Sequence, residues 1–128
     1  MKYSYTKQVP LSFQEAKEKT VAALAEEGFG ILTEVDVKAT LKKKLGVSHG
    51  EYVILGACNP PFAYQALQAE KEIGLFMPCN VIVYEKEGNI FVSAILPTTA
   101  MGMLDNPALS DIAVLAEAKL KKAVDSVA

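Results

Sequence analysis

Three short runs are apolar at almost every position: residues 52–58, 81–84 and 90–96. An amphipathic helix or a one-sided strand returns a polar residue at a fixed interval, and these runs return almost none. Each reads as a strand buried on both faces. The last two are joined across Glu87-Gly88-Asn89, a tight turn that makes them a hairpin. A sheet with such strands at its centre has to be covered twice, and this requirement limits what the rest of the chain can do.

Two further runs alternate. Tyr3, Tyr5, Lys7 and Val9 stand against Ser4, Thr6 and Gln8, and Ile31, Thr33, Val35 and Val37 against Leu32, Glu34 and Asp36. Both have the period of a half-buried strand. Helices fall between the strands. Ser12 with Glu15 three residues later is a capping box, opening a helix whose Phe13, Ala16, Thr20, Ala23 and Leu24 recur at helical spacing until Gly28. Asn59-Pro60-Pro61 opens a second, expected to carry Phe62, Ala63, Ala66, Leu67 and Ile73 inward as far as Gly74. A loop over residues 98–103 leads to Asn106-Pro107 and a third, with an apolar stripe from Leu109 through Ile112, Ala116, Leu120, Ala123 and Val124 to Val127. Five strands and three principal helices in 128 residues make one α+β domain, residues 1–128, with the helices on one face. The other face is expected to pair with a second copy, because monomers rarely expose so large an apolar patch.

Charge narrows the partners. A formal net charge of −2 lacks the basic excess that phosphate neutralisation needs, so nucleic acid is not expected. Lys42, Lys43 and Lys44 read as a solvated helix face. No apolar run approaches the roughly 20 residues of a membrane span, and the first seven residues contain no apolar signal region. A cytoplasmic protein away from membranes is the expectation. Two cysteines are too few for a disulfide framework.

The residues able to do chemistry gather at element ends. Cys58 closes an apolar strand and Asn59 opens a helix, and Cys79 and Asn80 open the next strand. A thiol ahead of a helix N-terminus is a candidate nucleophile. Pro60 and Pro61 lack N–H groups and Asn59 is expected to cap the amide of Phe62, so few donors are left to hold an anion there. A small buried cysteine also packs well at such a position. Cys79, which stands beside Met77 and Pro78, offers with Cys58, Met101 and Met103 soft ligands of the kind that suit Cu(I), although no C-x-x-C spacing is present. Asn59 and Asn80 are able to orient a small ligand through their amides. His49, the only histidine, lies in a turn-like segment with no partner nearby in sequence. Nucleotide, zinc-protease and serine-hydrolase fingerprints are absent.

Asp36-Val37-Lys38-Ala39-Thr40, Leu55-Gly56-Ala57-Cys58-Asn59-Pro60, Ile73-Gly74-Leu75, Pro78-Cys79-Asn80-Val81 and Met101-Gly102-Met103 together resemble the bacterial and archaeal domain-of-unknown-function 302 family. The resemblance implies a TATA-binding-protein-like fold, a single curved antiparallel sheet with helices on one side, forming dimers. It implies neither DNA binding nor an activity. A ferredoxin-like order also fits the succession of elements. The two differ in that the first makes residues 52–58 and 79–86 antiparallel neighbours, with both thiols at one sheet end. Function is therefore expected to be that of a small dimeric binding module, with a ligand pocket framed by Cys58, Asn59, Cys79 and Asn80. A thiol redox enzyme or sensor using Cys58 and Cys79, and a Cu(I) binder, are the alternatives. The sequence does not say which cofactor, if any, the chain takes.

Overall fold

The computed structural model describes residues 1–128. Its strands are β1 (Ser4–Val9), β2 (Gly30–Asp36), β3 (Tyr52–Cys58), β4 (Cys79–Lys86) and β5 (Asn89–Ile95). Its helices are α1 (Phe13–Glu26), α2 (Val37–Leu45), α3 (Pro60–Ala69), α4 (Pro97–Met101) and α5 (Pro107–Asp125), with a 3-10 turn at Lys71–Phe76. All strands join one antiparallel sheet in the order β1-β5-β4-β3-β2. From β2 to β5 consecutive strands are neighbours, whereas β1 takes the far edge beside β5, so α1 must carry the chain across the sheet. β3 and β4 run antiparallel, which excludes the ferredoxin-like order.

Local signals account for most boundaries. Glu15 N–H donates to Ser12 Oγ (3.2 Å) and Ser12 N–H to Glu15 Oε1 (3.4 Å), completing the capping box of α1. At the other end Phe29 N–H donates to Leu24 O and Gly28 N–H to Ala25 O, with Gly28 at φ 85°. This is a Schellman ending, and it turns Phe29 back onto the core. Between β4 and β5, Glu87 (φ 52°) and Gly88 (φ 81°) are both left-handed, as the two-residue turn of a right-twisted hairpin requires.

Four expectations change. β2 is largely exposed rather than half-buried, with Leu32 67% accessible. The pairing shifts between Ile31, opposite Ala57, and Thr33, opposite Gly56. That bulge at Leu32 leaves Ile31 on the helix side and turns Thr33 and Val35 to the opposite face. Val37 begins α2 instead of ending β2, because Asp36 Oδ1 accepts from Ala39 N–H (2.9 Å) and caps a new helix. α3 stops at Ala69, where Glu70 is extended; Ile73 is buried on the 3-10 turn and Leu67 is 40% exposed. Residues 97–101 form α4 instead of a loop. Thr98 N–H (3.1 Å) and Oγ1 (2.6 Å) both donate to Glu117 Oε1 on α5, so α4 is held from outside itself.

α1 and α5 cover one face of the sheet. The larger core joins Leu24, Leu55, Val81, Val83, Val92 and Leu120, and a smaller one joins Ala66, Ile73, Met101 and Leu109 beneath α3.

Candidate functional site

The register sets Ala57 opposite Cys79 and Gly56 opposite Asn80, so the two thiols lie at one end of the sheet. α3 starts two residues after Cys58 and closes over this end. Between them is a cavity of about 40 Å³ at the seam of the two cores, lined by Cys58, Cys79, Phe29, Phe62, Met77 and Met101 among others. Ligand pockets for drug-sized molecules run to roughly 300–1,000 Å³, whereas a single water needs about 10–15 Å³. This cavity therefore has room for a guest of very few atoms.

Its lining contains no Asp, Glu, His or Lys. Burial, and after it the neighbouring Cys58 thiol, push the Cys79 thiol up from 9.0 to about 11. Cys79 is neutral at pH 7, the opposite of what a nucleophile requires. At pH 8 roughly one Cys79 in a thousand is thiolate. Alkylation of Cys79 is thus expected to be slow near neutrality and to accelerate up to about pH 11. The same shift contributes stability below pH 9 that is lost as pH rises through about 11. Mass-spectrometric alkylation kinetics against pH measure it, and rapid labelling of Cys79 at pH 7 contradicts it.

Asn59 does not cap Phe62. Its Nδ2 donates to Glu27 O (3.3 Å) and lies near Gly28, so the amide braces the start of α3 against the end of α1. Asn80 is exposed on the opposite face of the sheet from the cavity, because side chains alternate and it follows Cys79 within a strand. The structure thus brings together Cys58, Asn59 and Cys79 and separates Asn80 from them. Met101 reaches the cavity from α4, while Met103 is 74% exposed and outside it. Met77 lines the cavity instead. Its signal was adjacency, since it stands two residues before Cys79. His49 is exposed, with Nδ1 2.8 Å from Gly50 O and its ring edge-on to Tyr52. Lys42, Lys43 and Lys44 are exposed on α2.

The face of the sheet turned away from α1 and α5 is the second notable surface. Register and alternation place on it Ser4, Thr6 and Gln8 of β1, Phe91, Ser93 and Ile95 of β5, Asn80, Ile82 and Tyr84 of β4, and Tyr52, Ile54 and Gly56 of β3. The bulge adds Thr33 and Val35. Apart from Lys86 at the hairpin end, the strands bring no charge to this face. Tyr52 stacks on Tyr84 and Tyr84 on Phe91, with ring centroids 5.6 and 5.3 Å apart, and Thr6 Oγ1 lies 2.7 Å from Ser93 Oγ. A depression of about 410 Å³ spans part of it. A Cβ at Gly56 would collide with Thr33 Oγ1 and lie 2.8 Å from Pro78 Cγ, so glycine is what lets the β2 bulge lie flat there.

Residues 5–127 match the family described as Domain of unknown function DUF302. The crystal structure of an uncharacterized conserved DUF302 protein from Bacillus stearothermophilus is similar, with 33% sequence identity, coverage of 98% of each chain and a TM-score of 0.92. No curated protein matches the chain.

Proposed function

The chain belongs to the DUF302 family, and from the geometry of its own residues we propose that it is a homodimeric binding module. A second copy covers the open sheet face, and the cavity between β3, β4 and α3 takes a small guest. The observation that carries the binding reading is the cavity itself, apolar in lining, with a neutral Cys79 thiol and no acid or base beside it. Such a lining supports holding a guest and gives a thiol enzyme no side-chain proton acceptor beside its thiols.

Pairing is supported by the character of the open face. A two-fold interface sets one patch against itself, so a charge on it has to find its opposite within that same patch. A face with an apolar centre, a hydroxyl-bearing margin and one lysine at its end suits that arrangement. The same lack of basic groups argues against nucleic acid as its partner. No helix is long and apolar enough to cross a membrane, and two free thiols suit a reducing compartment, so the cytoplasm is the setting we infer.

Xenon is a suitable probe of the cavity because it enters small apolar spaces without needing polar partners. Crystals held under xenon pressure are expected to show one peak between Phe62, Cys79 and Met101. Xenon sites confined to the protein surface would contradict the binding reading.

A further inference from the structure

The chain carries two cysteines and four methionines. Four of these six sulfur-bearing residues, Cys58, Cys79, Met77 and Met101, line the same cavity of about 40 Å³, and the other two, Met1 and Met103, are exposed. They arrive from separate places: the end of β3, the start of β4, the segment leading into β4, and α4. Methionine often fills gaps in cores. Here it does so beside both of the chain's thiols, in a space too small for an organic ligand and large enough for one ion.

We propose that Cys58 and Cys79, supported by Met77 and Met101, form a site for a single Cu(I) ion. The proposal rests on the binding reading of the cavity and names its guest. Ligand chemistry selects the metal. Ca²⁺ and Mg²⁺ take oxygen ligands, and the lining offers no carboxylate. Zn²⁺ takes four ligands drawn from Cys, His and carboxylate, and no group of three such side chains is clustered here. Thiolate and thioether donors together suit Cu(I). On binding, two S–H bonds break, two Cu–S bonds form and two protons leave to solvent. Copper stays Cu(I), and no electron is transferred. Two thiolates and one Cu(I) leave a single net negative charge in the cavity, and the uncharged thioethers add none.

The test is an anaerobic titration of the full chain with Cu(I) against a chromophoric Cu(I) chelator, following copper stoichiometry and thiolate-to-copper absorption. One equivalent is expected to bind. Cys58→Ser and Cys79→Ser are expected to abolish that equivalent, and Met77→Leu and Met101→Leu to weaken it about tenfold each, equivalent to about 1.4 kcal/mol. Met103→Leu is expected to leave it unchanged. Circular dichroism establishes that each variant is folded, and the Met77 and Met101 variants decide the matter if a serine variant fails to fold. The proposal is overturned if no equivalent binds, if binding is indifferent to Met77 and Met101, or if Met103→Leu weakens it equally. Xenon entering a cavity that refuses Cu(I) overturns the metal and leaves the binding module standing.

Discussion

Phe29→Ala is expected to reduce folding stability by about 3–5 kcal/mol, the largest loss for any single truncation around the cavity. Phe29 is only 2% exposed and belongs to the larger core. It is also the residue after the left-handed Gly28, so the ending of α1 delivers its ring to the cavity wall. Removing the ring joins its volume to the existing space of about 40 Å³, and the helix ending fixes the backbone, so the site has little freedom to collapse. Urea denaturation should show a lower midpoint with an unchanged slope. The enlarged cavity should also accept a benzene-sized guest, which would restore part of the loss. A change below about 1 kcal/mol would mean that the ring does not form that wall.

Ile82→Glu is expected to separate the proposed dimer and leave each copy folded. β4 is the central strand of five, and Ile82 lies midway along it, between Ile54 on one neighbour and Ser93 on the other. In a sheet-to-sheet pair a carboxylate there is desolvated with no cation opposite it. Each copy brings one such carboxylate, and leaving even one charge unpaired in a buried contact costs about 3–5 kcal/mol, so the dissociation constant should rise by at least roughly two to four powers of ten. In a separate copy the same carboxylate faces water. Stability should therefore rise with protein concentration for the unaltered chain and be independent of concentration for the variant. The variant's far-ultraviolet spectrum should be unchanged. Equal concentration dependence in both would place the contact elsewhere.

The parts of this fold legible in the sequence are those decided by neighbours in the chain. The capping box at Ser12 and Glu15, the ending at Gly28, the hairpin at Glu87-Gly88 and the helix start at Asn106-Pro107 each involve residues within a turn of one another. The apolar strands β3, β4 and β5 in the middle of the sheet were legible too, since a run apolar at almost every position is a matter of composition. What was hidden depends on residues far apart. α4 begins with Pro97 and then carries Thr98 and Thr99, poor helix formers, and is anchored by Glu117 nineteen residues on. Asn59 bonds Glu27, 32 residues away, instead of its own helix. The bulge at Leu32 has no glycine or proline to mark it; the glycine that permits it, Gly56, is on the neighbouring strand.

At the site, the meeting of Cys58 and Cys79 followed once β3 and β4 were taken as antiparallel neighbours. Strand alternation then turns Asn80 away, a consequence obscured by treating Cys79-Asn80 as a unit like Cys58-Asn59. Met101 and Met103 look equivalent along the chain. The end of α4 at Met101 separates them, burying the first and exposing the second.

Pairing of two copies through the open sheet face is the proposal on which the binding module most depends. Sedimentation equilibrium of the unaltered chain at micromolar concentration measures this without any variant. The predicted result is a mass twice the 13.8 kDa of the single chain. A mass of 13.8 kDa at every concentration would contradict it.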